Sequence, residues 1–128
     1  MIQLVNSLNT YLEGLGHPAM VVGNMPDQPR DIIVLTDSGG LPTTLDENPP
    51  GAPEQHSIQI RARRQRQEDA RDVLLAIQRD LHRLQGVNLG DFSIFVAEAI
   101  DRPAILRRDD RESWTLVSNY EITAVALE

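Results

Sequence analysis

The sequence predicts an α+β fold: a mainly antiparallel sheet with helices packed on one face, in the order α-β-β-(long loop)-β-α-β-β-β. Three features carry this expectation. Ser57 to Arg63 alternates, with Ile58, Ile60 and Ala62 on one side and Gln59, Arg61 and Arg63 on the other, the period of a half-buried strand. Residues 67–85 repeat Ala70, Val73, Leu74, Ile77, Leu81 and Leu84 at helical spacing. Residues 90–127 hold three strand-like runs, the last two flanking the polar turn Arg108-Asp109-Asp110-Arg111-Glu112 as a closing hairpin.

In chain order, residues 2–13 read as an amphipathic helix, with Ile2, Val5, Leu8, Leu12 and Leu15 at helical spacing and its end marked by Gly14 and Gly16. Ala19–Val22 and Asp31–Thr36 read as short strands able to pair as an antiparallel hairpin across a Pro- and Gly-containing turn. Residues 37–55 hold four prolines and three glycines, which neither a ladder nor a helix tolerates. This stretch, including Ser38, Gly39, Gly40, Pro49, Pro50 and Gly51, is expected to be a flexible loop within a single domain spanning 1–128. The 67–85 helix places Glu68 and Asp69 in its first turn and Arg79, His82 and Arg83 near its end, both favourable to the helix dipole, with Gly86 as the stop. In the strand at 90–99, Phe92, Ile94 and Val96 share a side. In the last strand Trp114, Leu116, Tyr120 and Ile122 share one face, while Val117 and Val125 give the other an apolar character, as expected of a strand covered on both sides.

A chain of 128 residues suits one domain that folds without disulfide or metal, and it has no cysteine. Residues 1–15 lack the pattern of a signal peptide, and no run approaches the ~20 apolar residues that span a bilayer, so neither export by the usual route nor membrane insertion is expected. The formal net charge of −7 disfavours general nucleic-acid binding, which depends on phosphate contacts. All 12 basic residues are Arg, a side chain suited to interfaces, although a GC-rich genome produces the same bias.

Nothing in the sequence asks for catalysis, a cofactor or a metal. His17, His56 and His82 share no metal-ligand spacing. Ser38-Gly39-Gly40 lacks the Lys-Ser/Thr ending of a phosphate loop. Asp109 and Asp110 are interleaved with Arg108 and Arg111, which neutralise a cation site. The remaining feature is the basic run containing Arg61, Arg63, Arg64 and Arg66. Three readings are open for it: a grip on DNA phosphates, a contact with acidic groups of a neighbouring subunit, or a solvated sheet face.

Three segments, in order along most of the chain, carry a resemblance to a known family. Thr36-Asp37-Ser38-Gly39-Gly40-Leu41-Pro42 resembles the strand-then-Gly-Gly-Pro step of the tail-terminator and minor capsid (tail completion) proteins of long-tailed bacteriophages. Ile58-Gln59-Ile60-Arg61-Ala62-Arg63, followed by Glu68-Asp69-Ala70 and an amphipathic helix, is similar to that family's central strand and helix. Val117-Ser118-Asn119-Tyr120-Glu121-Ile122 after the polar turn resembles its final hairpin.

The resemblance implies a non-enzymatic virion protein of the tail, assembled in the bacterial host cytoplasm. It implies a homo-oligomeric ring, typically a hexamer, that caps the tail tube protein, stops its polymerisation and offers a surface to the head–tail connector protein. Genomic DNA would pass through such a ring without specific binding. On this reading Arg61, Arg63, Arg64 and Arg66 face acidic residues such as Glu68, Asp69, Asp109 or Asp110 of a neighbour, and the 37–55 loop orders against the tube or an adjacent copy. The alternatives are another neck or head-completion connector protein, and a DNA-contacting accessory protein that uses the arginine run.

Overall fold

The structure, a computed structural model, describes residues 4–18, 20–23, 31–37, 53–90, 92–108 and 113–126. Along the chain these form α1 (Leu4–Gly14), β1 (Val21–Val22), β2 (Ile32–Asp37), β3 (Glu54–Arg64), α2 (Gln67–Leu81), β4 (Leu84–Leu89), β5 (Phe92–Ala99), β6 (Ala104–Arg108) and β7 (Trp114–Ala126). The class and order are those expected from sequence, with one further strand, β4, after α2. Most of the loop expected at 37–55 lies outside the described residues, among it Ser38, Gly39, Gly40, Pro49, Pro50 and Gly51.

The sheet runs β1-β2-β3-β7-β5-β4. β3 and β7 are its spine, antiparallel from Glu54–Ala124 to Arg64–Trp114. The far side of β7 is shared: β5 pairs with its C-terminal half and β6 with its N-terminal end. β1 pairs with β2 in parallel, Val21 with Val34 and Val22 with Leu35, not as the expected hairpin. The connection is long enough to return the chain to the start of a strand that pairs over only two residues.

Both helices cover one face. Leu4, Leu8 and Leu12 of α1 and Ala70, Leu74, Ile77 and Leu81 of α2 share a single core with Ile33, Leu35, Ile58, Ile60, Leu116, Tyr120 and Ile122 of the sheet. Each large aliphatic side chain removed from water there contributes about 1.5–3 kcal/mol before entropy is counted. On the opposite face Ile32, Val34, Thr115 and Val117 are buried as well, so the N-terminal half of β7 is covered on both sides.

The end of α2 departs from the sequence reading. Leu84 keeps the helical phase, yet the helix ends at Leu81 because the Arg83 N–H donates to the Ala97 carbonyl of β5 (2.7 Å). Arg83, at φ 65°, is the left-handed residue that turns the chain; Gly86 lies inside β4 at φ 64°, between the rungs Gln85–Val96 and Val87–Ile94. An L residue in this region carries about 1–2 kcal/mol of strain. Arg83 is exposed, and only its backbone makes the turn. Arg83→Gly is therefore expected to raise stability by about 0.5–1 kcal/mol, after the flexibility glycine adds to the unfolded chain. Urea denaturation measures this, and a loss would mean that the arginine side chain holds the turn.

β5 also departs from a simple alternation. An extra residue, Phe95, interrupts its register with β7 between Ile94 and Val96. Ile94 and Ala97 therefore face the core, while Val96 pairs with Thr123 on the opposite face. The expected grouping of Phe92, Ile94 and Val96 on one side is broken by this bulge.

Candidate functional site

The arginine run does not form one patch. Arg61 and Arg63 lie on the sheet face away from the helices, where Arg61 pairs across to Val34 and Val117, and Arg63 to Ile32 and Thr115. The Arg61 Nη2 donates to Thr36 Oγ1 (3.4 Å). Arg63 is only 6% exposed and is engaged inside the chain. Arg64 falls on the helix side of the sheet, opposite Trp114, and its Nη1 donates to the Arg63 carbonyl (2.8 Å). Arg66, the residue before α2, is exposed and forms an ion pair with Glu68 of the same chain (2.7 Å). A strand alternates faces and then gives way to a helix, so four nearby guanidiniums end up pointing three ways. Asp109 and Asp110 lie outside the described residues.

The middle of the helix-free face is a ladder of polar cross-strand pairs. Gln55 Nε2 donates to Glu121 Oε2 (2.9 Å), Gln59 Nε2 to Asn119 Oδ1 (3.3 Å), and Asn119 Nδ2 to Asp101 Oδ2 (3.4 Å). These neutral and acidic groups satisfy one another and leave little to hold a phosphate.

The histidines join elements. His17 Nε2 lies 2.5 Å from Asp80 Oδ2, tying the turn after α1 to α2. His56 Nδ1 is 3.1 Å from Asp37 Oδ2, bridging β3 to β2. His82 Nδ1 accepts the Ala99 N–H (3.1 Å), closing the end of α2 onto β5. Among the described residues no group of three or more His, Asp and Glu side chains is placed to hold a metal ion, and no helix is long and apolar enough to cross a membrane.

The surface that sequence reasoning missed is on β5 and β6. Of seven exposed large hydrophobic residues described, four lie between 95 and 106: Phe95, Ile100, Ile105 and Leu106. All five residues of β6 are exposed, and β6 pairs only with β7 among the described strands. Leu106 is the extra residue of a second bulge, between Ile105 and Arg107. The strand is nonetheless anchored, because the Arg108 guanidinium sits 5.4 Å from the centre of the Trp114 ring. The available signal was the adjacent pair Ile105-Leu106, since neighbours on a strand point to opposite faces and an edge strand seldom has cover for both.

Residues 8–126 match the family model described as bacteriophage tail terminator protein. No curated protein matches the chain.

Proposed function

Since the chain belongs to the bacteriophage tail terminator family, we propose that its copies close into a ring, typically a hexamer, that caps the tail tube. The ring stops tube polymerisation and forms the surface to which the head connector joins, as a minor structural component of the virion assembled in the bacterial cytoplasm. The observation that carries this reading is the family match, which takes in every strand of the sheet, all of α2 and α1 from Leu8 onward.

The physical basis is geometry. A head-to-tail contact between identical copies generates a ring when its rotation closes and a filament when it does not. A ring whose outer face lacks the tube protein's recruiting surface ends growth without any chemical step. DNA would pass through without sticking, because a hexamer carries six times the chain's −7. The DNA-contact reading has less support, because the arginine run is split among two sheet faces and a helix start.

The test adds purified protein to the tube protein of the same phage during polymerisation, with tube lengths read by negative-stain microscopy. Shortened tubes carrying a ring at one end are the expected result. An unchanged length distribution with bare ends would sink the proposal.

A further inference from the structure

We infer that two copies of the chain join edge to edge through β4, antiparallel about a two-fold axis, and that this pair is the form of the protein away from a tail. The contact does not rest on the ring reading.

Among the described strands, β1, β4 and β6 end the sheet. An edge strand offers unpaired amides and carbonyls to any extended segment, so natural edges are kept short or carry charge and proline. β1 is two residues long, and β6 follows Arg102-Pro103 and ends on Arg107-Arg108. β4 lacks this protection: Leu84-Gln85-Gly86-Val87-Asn88-Leu89 holds neither charge nor proline. Its outer edge is open. Gly86 is exposed, and the surface of a glycine is main chain; among the described strands β4 pairs with β5 alone.

The strand is complementary to itself. Left-handed Gly86 lets β4 follow the extra residue Phe95 of β5. Leu84, Val87 and Leu89 thereby turn to the helix side and pack on the core, while exposed Gln85 and Asn88 turn to the other face. Set antiparallel against a second copy and centred between Gly86 and Val87, Leu84 lies opposite Leu89 and Gln85 opposite Asn88. A two-fold axis normal to the sheet keeps the helices of both copies on one side, so leucine meets leucine and amide meets amide. A shift of one residue either way sets Gln85 opposite Val87 or Leu89, on mismatched faces. Main-chain bonds supply the attraction and the opposed side chains fix the register. This self-match selects a second copy over an unrelated extended peptide. A two-fold contact consumes the same strand in both copies and stops at two, so it seals the open edge of free protein without starting a filament.

The chain has no cysteine, so the register can be read by cross-linking. Gln85→Cys mixed with Asn88→Cys should form a disulfide-linked pair under mild oxidation, because opposed residues on antiparallel strands lie about 4.5–5.5 Å apart, within a disulfide's reach. Neither variant alone should cross-link, since each position is then displaced from its own copy by roughly 10 Å along the strand. In sedimentation velocity the wild-type chain should be a dimer. Q85K/N88K places like charges opposite each other and should raise the dissociation constant by about tenfold or more. Q85K/N88E opposes unlike charges and should restore the dimer. Both positions are exposed, so far-UV circular dichroism should be the same for all. A wild-type chain that stays monomeric overturns the contact, as does a dimer that is indifferent to Q85K/N88K. Cross-linking by either cysteine variant alone overturns the register. A hexamer that neither cross-links in the mixture nor responds to Q85K/N88K overturns the β4 contact and leaves the ring reading standing.

Discussion

Tyr120→Ala lowers the stability of the folded chain by about 3–5 kcal/mol, whereas Tyr120→Phe leaves it unchanged or raises it. Tyr120 is fully buried in β7 and pairs across to Ile58 on one side and Ala99 on the other, so its ring fills the space between the sheet's spine and α2. Truncation to Ala leaves an aromatic-sized void that the helices close only in part. The hydroxyl is a separate matter. It is buried and, like Ser118 Oγ, has no hydrogen bond of ordinary geometry among the described residues. Removing it relieves a desolvation cost without breaking a bond.

The same burial gives a pH signature. Burial pushes the Tyr120 phenol well above its ordinary value; the Ser118 hydroxyl opposes the shift and the Asp101 carboxylate adds to it. The folded state therefore holds this proton more tightly than the unfolded chain, whose tyrosines titrate near pH ~10. Stability from the neutral phenol is complete below that pH and is lost as pH rises above it. Urea midpoints from pH 8 to 11 should fall more steeply for the wild type than for Tyr120→Phe. Parallel curves, or a Tyr120→Phe chain weaker by more than about 1 kcal/mol, would show that the hydroxyl is bonded in the fold.

Tyr120 also shows which parts of the fold were legible. Its face of β7 follows from the spacing Trp114, Leu116, Tyr120, Ile122, because a strand with a buried side repeats every two residues. The core faces of β3 and α2 were readable for the same kind of reason. β4 was not, since Leu84 continues the helical phase of α2 and only the tertiary bond from Arg83 to Ala97 ends the helix. The parallel pairing of β1 was hidden because a short strand carries no mark of direction. The bulges at Phe95 and Leu106 were hidden because they depend on the register with β7. The candidate surface on β6 follows from such a bulge, whereas the expected one at the arginine run assumed that a basic sequence makes a basic patch.

Arg63→Glu is expected to cost about 3–5 kcal/mol, enough to unfold many domains of this size. Charge reversal there looks like a natural test of subunit contact, but the residue is 6% exposed, between Ile32 of β2 and Thr115 of β7, both buried themselves. The substitution removes a guanidinium engaged inside the chain and places a carboxylate where water is excluded. Arg66→Glu, three residues on, should keep stability within about 1 kcal/mol, because its ion pair with Glu68 is solvent-exposed. Thermal melts and sedimentation of the two variants separate the effects. Loss of assembly in Arg63→Glu should come with loss of the fold, while any change in Arg66→Glu reports on the surface alone. A folded Arg63→Glu chain with a wild-type melting temperature would mean that Arg63 can turn outward, and would return it to the set of residues available to a neighbouring copy.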